Sequence, residues 1–334
     1  MKYNKRLAII ISVMMIGSAF VGCSNQKNDQ EKKSESIKVE QNIELTTKDD
    51  YTYENNDYFT SVSWLEKNIK DNKKLFIIDG RSDKDYNNGH IPGAVNVQWQ
   101  ELAKMIGKSG DKDWGNLIDE EPTLYKVLAT IGIQKDSQVV VYANKDGWGE
   151  DGRIVWCLKR VGIDARMLNG GFDLWQKENK EISKDSKIEN SENDSNKEYI
   201  KLEDIKINNN ANITTEELKK EIKDVKIIDT REEDEYKGAT KFGEARGGHL
   251  PGSINIAFNK LYNEDGTIKS NDEIDKIMKE NKIEKTDKIV TYCTSGIRSA
   301  HMALALKNAG YGNVRNYDSS YYEWAADKNN EVVK

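Results

Sequence analysis

Apolar positions come in two kinds of run along this chain. The short kind, "LFIID" (75–79), "VVVYA" (139–143), "ARMLN" (165–169) and "KIVTY" (288–292), is near-continuous and rich in β-branched residues. Parallel strands covered on both faces read this way. Longer stretches with helical spacing lie between them, such as "EPTLYKVLATIG" (121–132) and "IRSAHMALALKNAGY" (297–311). In "NITTEELKKEI" (212–222), Thr214 and Glu217 stand three apart, a capping box that predicts a helix start. Strand and helix signals that alternate predict an α/β fold with a parallel sheet. A functional site is then expected beyond the carboxyl ends of the strands.

The pattern occurs twice. "LFIIDGRSDKDYNNGHIPGAVNV" (75–97) matches "VKIIDTREEDEYKGATKFGEARGGHLPGSINI" (225–256). Asp79 and Asp229 end apolar strands, Arg81 and Arg231 follow, then Tyr86 and Tyr236, then His90 and His249 before Pro-Gly. "QVVVYA" (138–143) matches "KIVTYC" (288–293), and "NGGFDLW" (169–175) matches "DSSYYEW" (318–324). The offset stays near 150 residues, so the chain is a tandem duplication. Two domains also suit a length of 334 residues.

Hydrophobic residues make up only 37% and charged ones 32%, which implies polar tails beside ordinary cores. A net charge of −6 with both signs mixed lacks the basic face of a nucleic-acid binder, so no nucleic-acid partner is expected. The N-terminus has Lys2, Lys5 and Arg6, then "LAIIISVMMIGSAFVG" (7–22), then Cys23. Residues 1–22 read as a signal peptide. The ending resembles a bacterial lipobox, which implies that Cys23 is lipidated and that the protein is anchored through lipid on the extracytoplasmic side of the cell membrane. Residues 23–51 read as a disordered tether, and the polar stretch 177–198 as a linker. The two folded domains are expected at 52–176 and 199–330.

Repetition separates scaffold from candidate chemistry. Asp79/Asp229 and Arg81/Arg231 occur in both halves and are expected to fix loops near the strand ends. His90 and His249 also recur, which favours a structural hydrogen bond over a general base. His301 is expected to cover surface or core. Cys157 lies within a helix beside Trp156 and Leu158 and reads as a small buried thiol. Cys293 is different, because its counterpart is Ala143, so the nucleophile belongs to the second half alone. Thr294, Ser295 and Gly296 are small enough to let the backbone curl around the sulfur, with Ile297 and Arg298 opening a helix. Clustered N–H groups, a helix N-terminus and the Arg298 charge lower a thiol's pKa from its reference of about 8.5.

"GGHLPGSIN", "YCTSGIRS" and the two terminal Trp motifs carry a resemblance that covers roughly 52 to 326. The chain resembles the rhodanese (thiosulfate/3-mercaptopyruvate sulfurtransferase) family in its two-domain form. That resemblance implies two tandem rhodanese-like domains, each a parallel sheet flanked by helices, the first lacking the nucleophile. It implies a transferase that takes sulfane sulfur onto a Cys293 persulfide and passes it to cyanide or a thiol, with no metal or organic cofactor. A monomer is expected. Donors of thiosulfate type go with a cationic loop, so Arg298 favours thiosulfate over 3-mercaptopyruvate. Arg246, in an insertion absent from the first half, is expected to meet the donor's anionic end. Glu235 stands where some two-domain members carry an arginine. Related phosphatases use a Cys-to-Arg loop one residue longer; with four residues between Cys293 and Arg298 the loop suits sulfur better than phosphate. A surface sulfur carrier without turnover is the alternative function. Trp148 and its Gly-rich loop either close over the site from the first half or fill the vacant one.

Overall fold

The computed structural model describes residues 55–185 and 198–334. The expected signal peptide, Cys23, the expected tether and most of the expected linker lie outside them.

The first half runs β1 (Phe59–Thr60), α1 (Val62–Asn68), β2 (Leu75–Asp79), α2 (Asp83–Asn88) and β3 (Val95–Asn96). It continues with β4 (Ala103–Met105), β5 (Trp114–Leu117), α3 (Glu121–Ile131), β6 (Gln138–Tyr142), α4 (Glu150–Arg160), β7 (Asp164–Leu168) and α5 (Gly171–Lys177). The second runs α6 (Thr215–Glu221), β8 (Lys226–Asp229), α7 (Glu233–Tyr236), β9 (Ile254–Asn255) and α8 (Asn271–Glu280). It ends with β10 (Ile289–Tyr292), α9 (Ile297–Asn308), β11 (Val314–Asn316) and α10 (Ser320–Ala326).

Each half builds an all-parallel sheet, in the order β1-β7-β6-β2-β3 and β11-β10-β8-β9. The apolar runs noted above form their middle strands. Val139, Val140, Ile78, Ile228 and Val290 are fully buried, as strands covered on both faces require. Thr214 caps α6 as its spacing predicts: its hydroxyl accepts from Glu217 N while Glu217 Oε2 accepts from Thr214 N.

The two halves share one apolar core. Its centre is α4 against α9, where Val155 and Trp156 belong to the same buried cluster as Met302 and Ala303. The approach is close at the helix starts: a Cβ on Gly152 would meet the backbone and ring of His301. Only a glycine allows this packing.

Both polar boundaries fall later than their composition implied. After α5 the chain returns to pair Ser183 with His90, and Trp175 Nε1 donates to Glu181 O. The second half repeats this, pairing Val333 with His249 while Trp324 Nε1 donates to Glu331 O. Residues 198–208 still lie on the first half, because Ile200 and Ile205 bury in its core and Asn208 N donates to Arg160 O. A few apolar residues in a polar stretch were enough to dock it.

Candidate active site

The strand ends carry the same polar knot twice. Asp229 stands opposite Tyr292 in the sheet register, as Asp79 stands opposite Tyr142. Arg231 Nε reaches Asp229 Oδ1 at 2.9 Å and Nη2 reaches Oδ2 at 2.6 Å; the Arg81–Asp79 distances are the same. The remaining Arg231 Nη2 donor goes to Gly248 O, and that of Arg81 to Gly89 O. The tyrosine hydroxyls donate to the same carboxylates, and burial beside that negative charge drives both phenols well above their ordinary range. These knots tie the HxPG turn to the sheet. The histidines belong to them: His249 stacks on Tyr236 at 3.6 Å and its Nδ1 lies 2.9 Å from Tyr236 O. His90 does the same on Tyr86.

Cys293 follows β10 directly, and the loop closes in four residues at Gly296, the left-handed N-cap of α9 (φ 76°). Helix α10 fixes the loop from behind. Tyr321 N donates to Cys293 O at 3.0 Å and Tyr322 N to Thr294 O at 3.1 Å. Cys293 N donates to Ser320 Oγ at 3.2 Å. Ser320 itself holds φ 53°, a region that costs a side-chain-bearing residue energy. The matching residue of the first half is Gly171, at φ 57°. With the loop carbonyls held on one side, N–H groups are left to face the sulfur.

Burial alone would raise the pKa of Cys293, which is 1% exposed. The Arg298 charge, the N–H groups of Ser299 and Ser295 and the Ser299 hydroxyl outweigh it and bring the thiol below its ordinary value. Ser299 Oγ donates to Cys293 Sγ at 3.7 Å. Cys157 is instead pushed up to about 11, because burial outweighs the charges of Arg160 and Arg153. Chemically the arrangement offers a thiolate nucleophile in a cradle that also suits negative charge leaving from a bound group.

Arg298 does not stand free. Its Nη1 and Nη2 grip the two oxygens of Glu235 at 2.7 and 2.8 Å, and Nη2 also donates to Thr294 Oγ1. Thr294 donates to Glu235 as well. The pair is buried, and burial alone would raise the pKa of Glu235; Arg298 outweighs that and holds it below its ordinary value, so Glu235 stays ionised. Over the guanidinium lie two rings, Trp148 of the first half at 5.0 Å and Phe242 at 5.9 Å, themselves edge to face at 4.9 Å.

The first half supplies the other wall. Ser295 Oγ donates to Trp114 O at 3.1 Å, and a Cβ on Gly115 would touch that hydroxyl. In the loop that joins β4 to β5, Ser109 Oγ lies 2.9 Å from Phe242 O and 2.8 Å from Tyr322 Oη. The vacant loop of the first half is longer, running from Ala143 to its left-handed N-cap at Gly149.

Arg246 does not meet the expectation made for it. Its guanidinium donates to the carbonyls of Trp324, Ala325, Asp327 and Asn330, so it caps the C-terminal end of α10. The insertion folds back along that helix, which sequence spacing does not reveal. Ser320, Ser299 and the partner of Glu235 also escaped the reading of the sequence. A signal for Ser320 was present, since the repeat sets it against Gly171.

A rhodanese-like domain profile matches residues 61–178 and 214–327. The chain belongs to the rhodanese-like family. Its domains are those of the repeat, and the rhodanese loop "CTSGIRS" lies in the second. Among its relatives, a thiosulfate sulfurtransferase of Corynebacterium glutamicum is 31% identical over 284 residues, 81% of this chain and 89% of that protein. A sulfur carrier protein, TtuD, of Thermus thermophilus is 30% identical over 81% of this chain and 95% of its own. The fold is shared with an anaerobic ergothioneine biosynthesis enzyme from Chlorobium limicola, at a TM-score of 0.69 and 22% identity over 83% of this chain and 70% of that one. Rhodanese membership supports sulfurtransferase activity, which requires a sulfur donor and an acceptor.

Proposed function

We propose that this rhodanese is a thiosulfate sulfurtransferase working through a persulfide on Cys293. The thiolate attacks the outer sulfur of thiosulfate. A new S–S bond forms, the old one breaks, and sulfite leaves with the electron pair. Cyanide or a thiol then attacks the outer sulfur of the persulfide, and the Cys293 thiolate is restored. The observation that carries this reading is the lowered thiol of Cys293, with Arg298, Ser295 and Ser299 around it. Loop N–H groups suit both the persulfide and the anionic leaving group. Thr294, Gly296 and Ile297 shape that loop.

Thiosulfate is favoured over 3-mercaptopyruvate by the cation at the loop and by the names of relatives such as the Corynebacterium protein. Glu235 shares that cation, so donor choice rests on how Arg298 divides its donors once substrate enters. Steady-state kinetics with both donors and cyanide test it. Higher kcat/KM with thiosulfate is expected; a mercaptopyruvate value far above it overturns the donor assignment. A second reading, a carrier that hands sulfur once to a protein, is favoured by the Thermus relative's name. Multiple turnovers with cyanide separate the two. The lipobox-like end at Cys23 supports placing the enzyme at the membrane, outside the cytoplasm.

A further inference from the structure

The first half keeps the fold and lacks the nucleophile, yet one of its arginines enters the catalytic loop of the other half. Arg153 lies on α4 and its side chain is wholly buried. Its Nη1 donates to Gly296 O at 3.1 Å and to Asp318 Oδ1. Its Nη2 donates to Gly115 O at 2.7 Å. Asp318 in turn accepts from Leu117 N at 2.8 Å through its other oxygen. One guanidinium thus joins the β5 strand of the first half, Asp318 two residues ahead of α10, and the peptide that starts α9.

Gly296 is the pivot of that peptide. A Cβ there would lie 2.7 Å from Arg153 Nη1, so the close approach depends on glycine. Its carbonyl also accepts from Ala300 N, the first bond of α9, and from Asn316 Nδ2. In a planar trans peptide the following N–H points away from the carbonyl. Holding Gly296 O therefore fixes the direction of the Ile297 N–H, and with it the entry of α9, which carries Arg298 and Ser299.

We propose that Arg153 is a positioning residue for Cys293, supplied by the domain that lacks a nucleophile of its own. It touches neither the sulfur nor the donor; it sets the loop that lowers the thiol. The charge beside the sulfur is that of Arg298, so Arg153 acts through geometry. This rests on Cys293 being the nucleophile proposed above, and it gives the first domain a part in the reaction besides covering the site.

The test is the pH profile of Cys293 alkylation by iodoacetamide, followed on the Cys293 peptide so that Cys157 does not interfere. It is run on the full chain for wild type, Arg153→Met and Arg153→Lys, alongside melting curves and kcat and KM for thiosulfate. In R153M the midpoint is expected to rise by about one unit, which makes alkylation about tenfold slower below both midpoints. Turnover should fall in kcat, with KM nearly unchanged. R153K, which keeps the charge but reaches fewer acceptors, should lie between. A wild-type midpoint in R153M, even with a lowered melting temperature, overturns the proposal. If R153M does not fold, R153K decides by the same criterion. Absence of a persulfide in wild type would sink the sulfur-transfer reading, while the alkylation midpoints would still report on Arg153.

Discussion

Glu235 holds the guanidinium of Arg298 with both carboxylate oxygens, deep in the loop that surrounds Cys293. The cation that lowers the thiol is therefore itself restrained and partly neutralised. This sets a balance: Glu235 positions Arg298 and also dilutes its effect on sulfur.

Glu235→Gln shifts that balance in a defined direction. With the carboxylate gone, the Arg298 charge acts on Cys293 undiluted, so the alkylation midpoint of Cys293 should fall. Stability should drop, on the order of 3 kcal/mol, because a buried charge loses its partner. Alkylation against pH and urea unfolding check the two effects. A raised midpoint would mean that Glu235 acts chiefly by placing Arg298.

Trp148 reaches Arg298 from the other domain and is 45% exposed. Its ring is expected to contribute about 1 kcal/mol over the cation. In Trp148→Ala, KM for thiosulfate should change several-fold while the folded state persists. Unchanged KM and kcat would reduce the ring to a filler of the longer vacant loop.

A buried pair at the domain contact makes two opposed contributions to the pH dependence of stability. His301 Nε2 lies 3.4 Å from Asp151 Oδ1 and 3.2 Å from Tyr262 Oη. Burial raises Asp151 from 3.8 to about 7 and lowers His301 from 6.5 to about 3. For Asp151 the folded form keeps the proton longer, so its contribution is lost as pH rises from about 4 to about 7. For His301 the unfolded form takes the proton first, so stability is lost as pH falls from 6.5 towards 3. Between about 4 and 6.5 the two slopes oppose each other, so the joint contribution of the pair should be nearly flat. Asp151→Asn should expose the acid-side loss, and His301→Gln the opposite slope. Denaturant melts across that range decide, and identical slopes in all three proteins would contradict the assignment.

The sheets, the duplication and the singular Cys293 were all legible along the chain. Apolar runs such as "VVVYA" have no other good placement than a covered strand, and Ala143 against Cys293 is a direct comparison. The Asp229–Arg231 pair was legible for the same reason, since it recurs at short range. What could not be read was direction in space. Arg246 and Arg153 are both arginines near motifs, yet one caps α10 and the other crosses between domains. Glu235 was visible as a departure from the family pattern, but its partner lies 63 residues away. The docking of Ile200 and Ile205 was hidden in a segment whose composition is polar.

The central claim is that Cys293 carries the transferred sulfur, and the intact mass of the protein after exposure to thiosulfate tests it most directly. Wild type should gain the mass of one sulfur atom and lose it on adding cyanide, while Cys293→Ser should gain nothing. An unchanged mass in wild type, or the same gain in the Cys293→Ser protein, would contradict it.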